Sequence, residues 1–195
     1  MTLMCGKGLA LDASVLINLL PTNRMAEILT ALCVPLVVTA QTYREFYIDP
    51  RDRTRNTELL APFVSSGVFQ RVVLAEDALG LCLDLAGASP PDDLNDGEAA
   101  TLAYSRCHSL DAVVDETKTR NVCKRLFPDV VLYSTIELFR SRQVVDVLGP
   151  EGLTGAIFAA LHLGRMRVAA EHDAWVRELL GPERVSLCRS LQRRR

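Results

Sequence analysis

Four acidic residues stand where a β-strand would give way to a helix, or where a helix would begin. They are Asp12 after Leu9-Ala10-Leu11, Glu45 in Thr42-Tyr43-Arg44-Glu45-Phe46, Glu98 in Asn95-Asp96-Gly97-Glu98-Ala99, and Asp115 after Ala112-Val113-Val114. Carboxylates are hard oxygen donors of the kind that Mg²⁺ or Mn²⁺ prefers. Brought together without a cation they repel, and at least one takes up a proton. With one or two such ions they can activate water and stabilise charge building on a phosphate oxygen, chemistry suited to phosphodiester hydrolysis. Asp12, Glu98 and Asp115 are the expected metal ligands. Glu45 completes the catalytic set or serves a second ion.

The surrounding pattern supplies elements to position them. Short apolar runs predict strands over 9–11, 35–39, 69–74, 111–114 and 129–133, and helical spacing predicts helices between them and one more over 135–142. This alternation implies βαβ units, hence an α/β fold with a mostly parallel five-stranded sheet and right-handed crossovers. Ligands of such sheets bind beyond the carboxyl ends of the strands, where strand order reverses. Asp12 and Asp115 end two strands. Glu45 is expected early in the helix leaving the second strand, and Glu98 in the first turn of the helix entering the fourth. Residues 1–149 form the expected catalytic domain. Residues 150–195 form a helical extension packed on or near it, with Leu153, Ile157, Phe158 and Leu161 on one face, and Trp175, Val176, Leu179 and Leu180 on another. Gly181-Pro182 should end one helix and start the next.

Each residue also has a plainer role open to it. Asp12 could cap the helix from Ala13, and Asn95-x-x-Glu98 is a capping box. Asp96 suits a cap as well. Glu116 fits a helix N-terminus, where the dipole favours negative charge. Lys118 and Arg120 open the helix after Asp115 and could hold substrate phosphates or simply be solvated. Arg51, Arg53 and Arg55 read as a solvated loop, and Arg193-Arg194-Arg195 as a frayed tail.

Bulk properties exclude several classes. Of the 195 residues 49% are hydrophobic, enough for a full core. The net charge of −2 rules out a globally basic nucleic-acid coat, so a polyanion must be met by a local patch or through metal ions. The six cysteines form no Cys-x-x-Cys pair, and His108, His162 and His172 do not cluster with them, which excludes structural zinc and predicts buried free thiols. Apolar runs fall short of the roughly 20 residues of a membrane span, and the N-terminal pattern lacks signal-peptide features. A cytoplasmic protein without membrane contact is expected.

At the four acids the chain resembles PIN-domain ribonucleases, the fold of VapC-type toxins. Leu9-Ala10-Leu11-Asp12-Ala13-Ser14, Glu45 after the second strand, Gly97-Glu98-Ala99, and Val113-Val114-Asp115 before the basic Lys118-Thr119-Arg120 follow the family order over about residues 9–142. Glu116 stands where many relatives carry Asp, and the tail beyond Gly149 exceeds the compact family core. The resemblance implies a three-layer α/β/α Rossmann-like domain and hydrolysis of RNA to 3′-hydroxyl and 5′-phosphate ends. Ser14 would hold Asp12 or a water, and Asp96 and Glu116 would support the site. It also implies a homodimer and a small antitoxin that covers the acids with a basic side chain. A PIN-like module without catalysis, serving RNA binding or assembly, is the alternative. A haloacid-dehalogenase-type phosphatase would need an acid at Ser14. A receiver domain would need a lysine near Tyr133-Ser134-Thr135.

Overall fold

The computed structural model describes residues 7–46 and 57–192. In chain order the elements are β1 (Leu9–Leu11), α1 (Ala13–Leu19), a 3-10 turn (Leu20–Thr22), α2 (Met25–Ala31), β2 (Leu36–Thr39), α3 (Ala40–Glu45), α4 (Thr57–Ser65), β3 (Gln70–Val72) and α5 (Glu76–Ala86). They continue with α6 (Asp96–Cys107), β4 (Asp111–Val113), α7 (Thr117–Leu126), β5 (Leu132–Tyr133), α8 (Thr135–Phe139), α9 (Arg142–His162), α10 (Ala170–Leu187) and α11 (Arg189–Gln192). The expected loop at Arg51, Arg53 and Arg55 and the tail at 193–195 lie outside the described residues.

Five parallel strands form one sheet in the order β3-β2-β1-β4-β5 with helices flanking it, the three-layer α/β/α fold expected. The chain builds outward from β1 to β3, then returns to add β4 and β5 on the other side of β1. Strand order therefore reverses between β1 and β4, which places the ligand crevice of such a sheet beyond Leu11 and Val113. The central strands β1, β2 and β4 are buried along their whole length, as expected of parallel strands covered on both faces.

Two compact units make up the chain. One comprises residues 7–16, 33–46 and 57–134 and holds the whole sheet. Within it, Ala99, Ala100 and Ala103 of α6 are fully buried and pack in one core with Ala78, Cys82 and Leu85 of α5. Small residues on that face let the two helices approach closely. The other unit joins 17–32 to 135–192. Its division at 134/135 differs from the boundary at 149/150 expected from sequence, which falls on a bend inside α9. Gly149 has φ 64°, a conformation open to glycine, and Pro150 starts the next segment. Gly181 (φ 71°) and Pro182 repeat the device in α10, as the sequence indicated.

Three further details differ from expectation. The helix anticipated over 135–142 is two helices, because Ser141 caps α9 by accepting from Val144 N. Cys33 and Cys107 are exposed rather than buried, while Cys82, Cys123 and Cys188 are buried free thiols. By length and mean hydropathy (1.5), α9 could cross a membrane, but it bends at Gly149 and buries one face, with Val144, Leu148, Leu153, Ile157 and Leu161.

Candidate metal centre at the carboxyl end of the sheet

Asp12 follows β1 directly, its backbone N–H still donating to Val113 O (3.1 Å). The side chain is buried. Its Oδ2 accepts from Ser14 Oγ (2.5 Å) and Ser14 N (3.1 Å), the geometry of a helix N-cap for α1. Its Oδ1 is buried with no hydrogen-bond partner. Buried polar atoms are nearly always paired, so an orphaned carboxylate oxygen calls for an explanation. Burial pushes the Asp12 carboxyl up to about pKa 6. The Ser14 hydrogen bonds oppose that rise, and the nearby Glu98 charge adds to it. The cap and the free oxygen thus coexist on one side chain.

Glu98 is buried at the N3 position of α6. The capping box read from the sequence is complete: Glu98 N donates to Asn95 Oδ1 (2.8 Å), and Asn95 N donates to Glu98 Oε2 (3.1 Å). Asn95 is the cap. Asp96, at N1, is exposed. The box fixes one Glu98 oxygen and leaves Oε1 without a hydrogen bond among the described residues.

Glu45 lies at the end of α3 and not near its start. The reason is local: Thr39, the last residue of β2, caps α3 itself by accepting from Thr42 N (3.2 Å), so no loop intervenes. A six-residue helix rises only about 9 Å, and Glu45 still reaches α6, where Oε1 accepts from Gly97 N (2.8 Å). Burial raises the Glu45 pKa. The Gly97 bond opposes this, and Asp12, Glu98 and Asp96 add to it in that order. Gly97 is where α6 meets the Glu45 carboxylate most closely: a Cβ there would meet that carboxylate, which would have to move off Gly97 N–H.

Asp12, Glu45 and Glu98 therefore share one electrostatic neighbourhood, each with one oxygen held by the protein and the other free of hydrogen bonds among the described residues. Asp115 is half-buried in the segment after β4. The register Leu11↔Val113 sets Asp12 level with Val114, so Asp115 follows one residue beyond. Glu116, exposed, occupies the N-cap position of α7 without making a side-chain cap bond. Arg120 Nη1 donates to Val114 O (3.1 Å) and secures the end of β4. Lys118 forms an exposed ion pair with Asp93 (3.5 Å), the sort worth little in water and easily exchanged.

A buried threonine network escaped the sequence reading. Thr42 Oγ1 lies 3.0 Å from Thr39 Oγ1 and 3.0 Å from Thr101 Oγ1, and it donates to Gly97 O (3.3 Å). It locks α3 to the first turn of α6 and so holds Glu45 beside Gly97. Thr39 at a strand end carried a capping signal, whereas Thr101 carried none.

Among the described residues, no group of three or more His, Cys, Asp or Glu converges tightly enough to grip a metal ion unaided. The donor chemistry nonetheless fits a hard divalent cation. Free oxygens remain on Asp12, Glu45 and Glu98, and Mg²⁺ characteristically keeps several waters while using one or two carboxylates and substrate phosphates.

A Rossmann-like parallel sheet with an acidic crevice at its reversal point defines the class of molecule. A family model for the PIN domain matches residues 9–131, and the chain belongs to the PIN-domain family. PIN domains are generally nucleases and typically use divalent metals. No curated protein is significantly similar to the chain.

Proposed function

We propose that the protein is a divalent-metal-dependent endoribonuclease that hydrolyses RNA phosphodiester bonds. The buried, unpartnered Oδ1 of Asp12, coupled to Glu98 and Glu45 at the reversal point of the sheet, is the observation that supports this most. Asp12, Glu98 and Asp115 would hold Mg²⁺ or Mn²⁺, with Glu45 beside them. A bound ion would offset the carboxylate repulsion and supply Lewis-acid activation of water and of the scissile phosphate. Ser14 fixes the Asp12 rotamer and leaves Oδ1 available. The capping box and Gly97 N–H do the same for Glu98 and Glu45. Arg120 keeps the β4 end, and with it Asp115, in place, and Lys118 can exchange Asp93 for an RNA phosphate.

The test is cleavage of RNA by purified protein with Mg²⁺ or Mn²⁺. Asp12→Asn should fold and lose the activity, whereas equal cleavage by the variant would refute the assignment. The second reading is a PIN-like module for RNA binding or assembly without catalysis; among the described residues no three-ligand group is pre-assembled. Folded wild-type protein that cleaves no RNA with either ion would support that module. The toxin role extends the first reading: a small antitoxin would cover the acids with a basic side chain, and the chain would act as a homodimer. A gene for such a protein beside this one, and growth arrest on induction that Asp12→Asn abolishes, are the outcomes expected of a toxin.

A further inference from the structure

In the unit that joins 17–32 to 135–192, a cavity of about 720 Å³ opens between the end of α9, the loop after it and α11. Arg165, Arg167 and Arg189 line it. None of the three guanidinium groups makes an ion pair or hydrogen bond among the described residues. Arg24, Arg142 and Arg177 of the same unit each have a carboxylate partner. Three like charges around one hollow raise its potential and favour an anion there.

Two other observations belong to this cavity. Ser190, on its wall, has a buried Oγ with no hydrogen-bond partner, a group that costs stability when left unpaired. Arg165 has φ 58°, the left-handed region. A side chain there costs roughly 1–2 kcal/mol that glycine avoids, and strain of this kind clusters at ligand sites. Leu161, Val168 and Leu187 give the cavity an apolar wall. His162 also lines it, with its ring stacked on Phe158 (centroids 5.2 Å) and its Nδ1 2.9 Å from Leu187 O.

We infer that this cavity is a binding site for a phosphate ester, specifically a nucleotide, either free or as one unit of an RNA strand. Guanidinium groups bind phosphate through paired N–H donors. A tetrahedral phosphate has enough oxygens to engage several guanidiniums and the Ser190 hydroxyl together. A single carboxylate has two oxygens and saturates one arginine. The apolar wall suits a base or sugar, and the volume lies within the roughly 300–1,000 Å³ of small-ligand sites. The site needs no metal and does not depend on the ribonuclease reading.

Calorimetric titration in EDTA tests it, with AMP, a 2′-O-methyl RNA octamer and a hexaglutamate peptide as probes. AMP or the octamer should bind the wild-type protein. Arg165→Gln with Arg189→Gln should weaken that binding at least tenfold, and Ser190→Ala about fivefold, the value of one hydrogen bond. Arg142→Gln, whose partner is Asp146, should bind as wild type does. Binding of AMP without the octamer assigns a free nucleotide, and the reverse assigns an RNA strand. The inference is overturned if neither phosphate probe binds, if only hexaglutamate binds, or if the double variant and Ser190→Ala both bind as tightly as wild type.

Discussion

The carboxyl end of the sheet and the arginine-lined cavity are opposites built on one plan. Each leaves a buried polar atom unpartnered, Asp12 Oδ1 in the first and Ser190 Oγ in the second. Around the first stand carboxylates, around the second guanidiniums. The chain's net charge of −2 averages over both and describes neither. An unsatisfied buried atom within a field of one sign marks a place for an ion of the other sign.

Substitutions can break this comparison at graded cost. The largest effect should come from Asp12→Asn, which removes a wholly buried anionic oxygen that has no hydrogen-bond partner among the described residues. RNA cleavage should fall by about a thousandfold, in keeping with the several kcal/mol that metal-assisted charge stabilisation contributes, as read by single-turnover rates.

The same substitution should act in the opposite direction on stability. Asp12 has its carboxyl raised from 3.8 to about 6 in the folded protein. A raised pKa means that stability is fully present below about pH 4 and is lost as pH rises through 6. The loss amounts to about 3 kcal/mol at about 1.4 kcal/mol per pH unit. Metal-free Asp12→Asn should therefore be more stable than wild type at pH 7.5 and equal to it near pH 4, in urea melts at each pH.

Gly97→Ala should be next. The added methyl would force the Glu45 carboxylate off Gly97 N–H, and the lost hydrogen bond to a charged group, about 1.5–3 kcal/mol, outweighs the roughly 0.5–1 kcal/mol that alanine gains over glycine in a helix. Gly80→Ala is its control: no atom lies within 4 Å of a Cβ at that helical position, and about 0.5–1 kcal/mol of stabilisation is expected. Thermal melts of the two variants should move in opposite directions. Among the substitutions at the acidic site, Ser14→Ala should have the smallest effect, about 1 kcal/mol. Because Ser14 holds the Asp12 pKa down, its loss should also shift the pH at which stability falls upward.

The two regions were unequally legible in the sequence. Strand alternation, the Asp closing Leu9-Ala10-Leu11 and the Asn95–Glu98 spacing are local signals, and they located β1, α6 and two of the acids. Glu45 was assigned to the correct helix but the wrong end, because capping by Thr39 starts α3 directly on β2. Thr101 and the three cavity arginines carried no signal, since their roles arise from residues far apart in the chain meeting in space. Residues 17–32 likewise join the C-terminal helices through tertiary packing that periodicity does not encode.

The central claim is that the end of the sheet binds a hard divalent cation through Asp12. Calorimetric titration of metal-free protein with Mn²⁺ at pH 7.5 addresses it without requiring an RNA substrate. Wild-type protein should bind saturably, and Asp12→Asn should weaken that binding at least tenfold while remaining folded by circular dichroism. No heat in wild type, or equal affinity in the variant, would contradict it.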